Sequence, residues 1–189
     1  EPHEWLLELT IHDLLIMSSG WTDYIYSAMR GELDDWVKTT LASPFSFKPG
    51  DRYHYNSMNT YILSVIITKL TGKKLIDYLD EKLFKELGID NFYWCESPQG
   101  YNTAGWGLYL TTESFAKMGQ FILQRGEWKG KQLLNKAWFD KALQPHIMQY
   151  KNVITDPTEL EEVKNSRHQW KQGYAYQMWC CTDGAFRMH

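Results

Sequence analysis

Residues 49–89 read PGDRYHYNSMNTYILSVIITKLTGKKLIDYLDEKLFKELGI, and they contain the two most regular helical patterns of the chain next to its best candidate for chemistry. Pro49-Gly50 is a turn, and Asp51 to Tyr55 a short extended run. A helix then opens near Ser57 or Asn59 and runs through YILSVIITKL to Thr71, where Gly72 supplies the stop. Leu75 to Leu87 repeats apolar residues every three or four positions and closes at Gly88. Polar groups at the start of a buried helix face the positive end of its dipole, a setting that suits a Tyr hydroxyl asked to share or lose its proton. Tyr53, His54 and Tyr55 would serve equally well as caps and packing groups, and the local pattern leaves both readings open.

Working outward, Thr10 to Met17 starts with a Thr N-cap and has apolar residues at helical spacing until Ser18-Ser19-Gly20 ends it. Asp23 to Leu41 reads as a second amphipathic helix, and Ser43-Pro44 with Lys48-Pro49-Gly50 breaks the chain twice. Toward the C-terminus, Asn91 to Tyr109 is aromatic and Gly-rich with irregular spacing, so it reads as loop. Thr112 is expected to cap a helix over Glu113 to Gln124, and Asn135 another over Lys136 to Leu143. Lys151 to Gln172 is polar and reads as a solvated loop. Tyr174 to Cys181 and Ala185 to His189 alternate as strands around a Thr182-Asp183-Gly184 turn. The expected fold class is therefore α+β, predominantly α, with a helical body and a C-terminal strand pair.

The chain has 189 residues, 43% of them hydrophobic and 15% aromatic, enough for a sizeable core. A net charge of -3, without a Lys/Arg run, gives no electrostatic reason to expect nucleic acid or an anionic membrane as partner. The longest apolar stretch, Tyr61 to Ile67, falls far short of the roughly 20 residues a bilayer requires. Cys95, Cys180 and Cys181 form neither a disulfide framework nor a zinc spacing, and no metal or organic cofactor is expected. Their usage favours a reducing compartment, although an envelope enzyme also fits, so localisation stays open between the cytoplasm and a bacterial cell envelope. Glu1-Pro2-His3-Glu4 carries neither a start Met nor a signal peptide, and Ala185 to His189 resembles a strand cut short, so both ends read as those of an excised segment.

Five segments, in order, resemble serine hydrolases of the penicillin-binding-protein, DD-peptidase and class C-like β-lactamase superfamily. Leu9 to Gly20 (LTIHDLLIMSSG) resembles "ITIRHLLTHTSG". Pro49 to Ile89 is similar to "PG-x-x-F-x-Y-x-[NS]" followed by "LLG-x-II-x-x-x-TG". Gly105 to Gly119 resembles "GGLYLTARDLAKFG", Trp128 to Trp138 resembles "W-x-GKQIL-x-x-x-W", and Gly173 to Trp179 resembles "YGYGWW". On this resemblance residues 1–172 are a mainly helical domain, and residues 173–189 are strands of the antiparallel sheet of a neighbouring α/β domain.

The family carries three catalytic elements. Ser-x-x-Lys, which supplies the nucleophile, precedes the "TSG" segment in relatives and is expected upstream of Glu1. Tyr-x-Asn or Tyr-x-Ser is matched by Tyr55-Asn56-Ser57, which implies that Tyr55 relays the proton to the leaving group and that Ser57 faces substrate. Ser in place of Asn leans toward esterase, amidase or peptidase relatives. Lys-Thr-Gly or its equivalent is expected just beyond Arg187-Met188-His189, with His189 a guess at its first residue. The implied activity is hydrolysis of an ester, amide or β-lactam, in a small molecule or peptide with a reactive carbonyl, through an acyl-enzyme. The chain alone is expected to be inactive.

Ser114-Phe115-Ala116-Lys117 matches Ser-x-x-Lys literally, but it follows the Tyr motif and falls where relatives have an ordinary helix start, so a capping role is the better reading. Ser19 reads as a turn residue, His12 and His146 as exposed or packing histidines, and Asp156 to Lys164 as a solvated charged face. Tyr93, Trp94, Trp106 and Tyr109 either line a cleft or cover the core. The alternative function is a catalytically inactive module that binds peptide or glycan through this aromatic surface. Incomplete sheet strands would expose Met178 and Trp179, favouring a homo-dimer or pairing with a missing complementary segment.

Overall fold

The computed structural model of the chain describes residues 3–22, 33–166 and 171–187. After a short 3-10 turn at Glu4–Leu7, the helices are α1 Ile11–Leu15, α2 Trp36–Leu41, α3 Ser57–Thr71, α4 Leu75–Leu79, α5 Lys85–Leu87, α6 Thr112–Leu123, α7 Lys136–Ala142 and α8 Pro157–Asn165. The strands are β1 Phe92–Trp94, β2 Leu108–Leu110, β3 Glu127–Trp128, β4 Lys131–Gln132, β5 Trp179–Cys180 and β6 Phe186–Arg187, paired antiparallel as β1–β2, β3–β4 and β5–β6. The fold is α+β with helices dominating and a strand pair at the C-terminal end.

The central element is α3. Met58, Tyr61, Ile62 and Val65 recur at helical spacing and bury one face against Leu14 of α1, Trp21 and Trp36 of α2. Tyr61 is completely buried, and its hydroxyl donates to Ser97 Oγ at 3.1 Å, which satisfies the one polar atom the ring brings inside. Asn56 caps the start and Gly72 closes the end. α4, a π-helical turn over Asp80–Phe84 and α5 continue the chain as one rod that places Leu83, Phe84 and Leu87 against Phe121 of α6 and Phe139 of α7. A further cluster gathers Ile16, Met17, Ala142, Ile147, Tyr174, Tyr176 and Trp179, with Tyr53 and Tyr55 packed against it. It therefore joins the C-terminal segment to the residues just ahead of α3.

Several local expectations change. Residues 91–109 are not all loop, because Phe92–Trp94 and Leu108–Leu110 pair with Tyr93 opposite Tyr109. Two three-residue strands are too short for alternation to stand out from the Gly-rich segment between them. Within residues 151–172 lies helix α8, started by the Asp156 side chain accepting from the Thr158 and Glu159 amides, with Pro157 in its first turn. Its one fully buried apolar residue, Val163, is too little for periodicity to register. The expected helix over Asp23 to Leu41 is helical only from Trp36 in its described part, since the Asp35 carboxylate accepts from the Lys38 amide and caps there; residues 23–32 lie outside the described residues. Thr111, not Thr112, caps α6. The expected strand from Tyr174 shortens to Trp179–Cys180, because Tyr174 to Met178 folds into a tight turn in which the Ala175 amide donates to Met178 O at 2.8 Å. Trp179, expected to be exposed, is 6% exposed and belongs to the core.

Candidate functional site

The start of α3 is positioned by the Met17 to Gly20 turn. His54 N donates to Met17 O at 2.7 Å, Gly50 N to Ser18 O at 2.8 Å, and Ser46 N to Gly20 O at 2.9 Å, so residues 46–54 lie along residues 17–20. Gly20 makes this possible: at φ 96° its missing Cβ would stand 2.2 Å from Phe47 O. Two residues after His54, Asn56, fully buried, closes the approach. Its Oδ1 accepts from the Met58 amide at 2.9 Å and its Nδ2 donates to Trp21 O at 3.3 Å. This committed N-cap leaves Tyr55 immediately outside the helix and Ser57 as its first residue.

Tyr55 is half-buried, its ring stacked on Trp179 with centroids 4.9 Å apart and planes 26° from parallel. Tyr174 meets Tyr55 edge-on at 6.5 Å and Trp179 edge-on at 5.2 Å, and lies tilted on Tyr53 at 5.1 Å. Burial first, then the neighbouring Tyr53 and Tyr55, push the Tyr174 hydroxyl pKa far up, so Tyr174 stays a neutral phenol that packs the wall. Tyr53 and Tyr55 flank this wall from the extended run. The arrangement holds one half-buried phenol ring in a fixed plane beside a helix start.

Ser57 is half-buried, and the backbone of the aromatic loop lies on it. A Cβ on Gly105 would stand 2.7 Å from Ser57 O and 2.8 Å from Ser57 Cβ. The loop is pinned there, since Trp106 O accepts from Trp94 Nε1 at 2.9 Å and from Thr103 Oγ1 at 2.5 Å, and Trp106 stacks on Trp36 at 5.8 Å. The aromatic set divides as a result. Trp94 and Trp106 hold the loop onto the body, whereas Tyr93 and Tyr109, 61% and 64% exposed, form an outer pair.

Tyr55 and Ser57 are thus brought to one helix start, and other candidates fall elsewhere. Ser114 is 3% exposed and its Oγ accepts from Thr111 Oγ1 at 2.9 Å, while Lys117 Nζ donates to Gly88 O and pairs with Glu113. That pair ties helix α6 down. Ser19 Oγ accepts from the Trp21 amide within the turn. His146 stacks on Tyr176 at 4.2 Å, with His12 edge-on to both; burial first, then His146, lowers the His12 pKa. Cys95, Cys180 and Cys181 are free thiols. His189 lies outside the described residues. Among the described residues no group of three or more His, Cys, Asp and Glu is placed to hold a metal, and no helix is long and apolar enough to cross a membrane.

Gln177 is a positioning residue that sequence reasoning missed. Its Nε2 donates to Leu14 O and Leu15 O at 3.1 Å each, its Oε1 accepts from Thr60 Oγ1 at 2.6 Å, and its backbone sits at φ 60°. One side chain joins α1, α3 and the turn that precedes Trp179. The signal was available: in "YGYGWW" this position is Gly, the residue that tolerates a left-handed backbone. Lys151 and Asn152 were missed too. Lys151 Nζ donates to Gly50 O at 3.1 Å, and Asn152 Nδ2 to Asp51 O at 2.9 Å and Asp51 Oδ1 at 2.6 Å, clipping the turn that leads to Tyr55.

The 6-aminohexanoate-dimer hydrolase of Paenarthrobacter ureafaciens is 26% identical over 92 residues, which cover 48% of this chain and 24% of that protein. A penicillin-binding protein from Bacillus halodurans superposes with a TM-score of 0.63 at 20% identity, over 98% of this chain and 61% of its own. The octameric penicillin-binding protein homologue from Pyrococcus abyssi does so with a TM-score of 0.60 at 19% identity, over 94% of this chain and 46% of its own. The chain thus spans a quarter of that curated relative and about half to three fifths of these solved structures. The sequence profile described as Beta-lactamase matches from residue 3 to residue 173, nearly the whole length, and by that match the chain belongs to the β-lactamase family of serine hydrolases.

Proposed function

We propose that the chain supplies the tyrosine-bearing part of a serine hydrolase that cleaves an ester, amide or β-lactam through an acyl-enzyme. The supporting observation is the half-buried Tyr55 ring, stacked on Trp179 one residue ahead of the Asn56 cap, with Ser57 beside it on the first turn. In the reaction a serine of a Ser-x-x-Lys segment, joined to this chain, gives its hydroxyl proton to that lysine and attacks the carbonyl carbon, and the bond to the leaving group breaks. The Tyr55 hydroxyl passes its proton to the departing atom; in the second half it takes one back from the incoming water, whose oxygen bonds to the acyl carbon, while the lysine returns its proton to the departing serine oxygen. Ser57 offers its hydroxyl to the substrate. Residues 173–189 are assigned to the antiparallel sheet of an α/β domain that completes the site, beside the helical domain of residues 1–172.

The relatives support a carbonyl-containing substrate, one of them being named for hydrolysing a 6-aminohexanoate dimer and another for binding penicillin. Association with a second copy or with the nucleophile-bearing segment belongs to the same reading. A fluorescent fluorophosphonate tests the assignment. It labels a polypeptide in which a Ser-x-x-Lys segment precedes this chain, at that Ser, and leaves the 189-residue chain unlabelled. Stoichiometric labelling of Ser19, Ser57 or Ser114 in the chain itself overturns it.

A further inference from the structure

A second concave surface lies beside the turn that leads to Tyr55. Residues 145–155 and one face of α8 enclose an open cavity of about 540 Å³, within the range that small-molecule sites occupy. Ile147, Met148, Ile154 and Leu160 give it apolar walls, while Lys151 and Lys164 are cationic lining residues. Leu160 and Lys164 are one helical turn apart, so the same face of α8 presents both a wall and a charge. Of the eleven lining residues none is acidic, and among the described residues neither lysine has a carboxylate within 4.0 Å.

The cavity is tied to the candidate site through backbone. Lys151 uses one of its three donors on Gly50 O, which fixes the ammonium and leaves two donors for a ligand. Asn152, also lining, grips Asp51. Ile147 bridges to Tyr174, whose ring touches both Tyr53 and Tyr55.

We propose that this cavity binds the carboxylate end of a small aliphatic molecule, the carboxylate against Lys151 and Lys164 and the stem along Ile147, Met148, Ile154 and Leu160. The link to catalysis rests on the hydrolase reading, and gives its substrate or product an anionic arm; the binding itself does not. An uncharged stem would gain only the walls, whereas a carboxylate gains charge-assisted hydrogen bonds from two ammonium groups.

The test is calorimetric titration of the 189-residue chain with hexanoate and with hexanamide, which share a stem and differ in charge. Hexanoate is expected to bind about tenfold more tightly at low salt, with the difference shrinking toward parity at about 0.5 M salt. Lys164→Gln is expected to weaken hexanoate about fivefold and leave hexanamide unchanged, whereas Lys136→Gln, on α7, changes neither. Equal affinity for the two probes, no saturable binding of hexanoate, or an equal effect of the two substitutions would overturn the proposal. The readout needs no nucleophile, so failure here leaves the hydrolase reading standing, and absence of fluorophosphonate labelling in the longer polypeptide leaves this site standing.

Discussion

Asn56→Ala tests how the candidate site is held. Among the described residues the side chain does two jobs. Its Oδ1 satisfies the Met58 amide at the start of α3, and its Nδ2 satisfies the carbonyl of Trp21, itself 1% exposed. Loss of an N-cap costs about 1 kcal/mol. Leaving the buried Trp21 carbonyl without its donor adds about 1–2 kcal/mol. The expected total is about 2–3 kcal/mol, and at about 2–4 °C per kcal/mol for a chain of this size the melting temperature falls by roughly 5–10 °C. Asn56→Asp keeps the cap on the Met58 amide but turns a carboxylate oxygen, in a fully buried place, against Trp21 O, to which it cannot donate. It should cost at least as much as the alanine substitution. Urea unfolding followed by Trp fluorescence reads both, the midpoint giving stability and the slope checking that the transition is unchanged in kind. A loss below about 0.5 kcal/mol for Asn56→Ala, or an Asn56→Asp variant clearly more stable than Asn56→Ala, would refute the reasoning.

Gly105→Ala would drive a methyl against Ser57 O and Cβ, both on a helix that cannot yield, and should destabilise by about 1–3 kcal/mol in the same assay; neutrality would show that the loop does not rest on Ser57. Gln177→Ala removes three hydrogen bonds from a half-buried junction and should cost about 1–3 kcal/mol, while Gln177→Gly recovers about 1 kcal/mol of that by relaxing the left-handed backbone; the two variants melting together would contradict this. Cys180 has its pKa pushed up to about 11 by burial first and Cys181 second. The folded thiol therefore keeps its proton after the unfolded one has lost it, so this contribution to stability is present below pH 9 and is lost as pH rises through about 11. Iodoacetamide should spare Cys180 in the native chain at about pH 8.5 and modify it in urea; rapid native alkylation would contradict the burial.

The long helices were legible because their apolar periodicity and their Gly stops reinforce each other, as in Ser57–Thr71 closed by Gly72 and the rod closed by Gly88. Short elements were not. β1 and β2 have three residues each, and α8 buries one apolar residue, so their stability comes from partners distant in sequence and from a cap at Asp156. At the site, Tyr55 and Ser57 could be named because the motif around them is contiguous. Trp179, Tyr174 and Gln177 reach the same place from more than a hundred residues away, and Lys151 and Asn152 come from a segment whose polarity reads as solvated loop. Nothing in local spacing announces such contacts. The left-handed backbone at Gln177 is the exception, since a Gly in the family pattern marks it.

The most direct measurement is the steady-state hydrolysis of a p-nitrophenyl ester by a polypeptide in which a Ser-x-x-Lys segment precedes this chain, with Tyr55→Phe as the only change. If position 55 moves the proton, kcat falls by about a hundredfold or more while the Phe ring keeps the stack on Trp179. Turnover within about twofold of the unsubstituted protein would show that the proton travels by another route, and the role given to Tyr55 would be wrong.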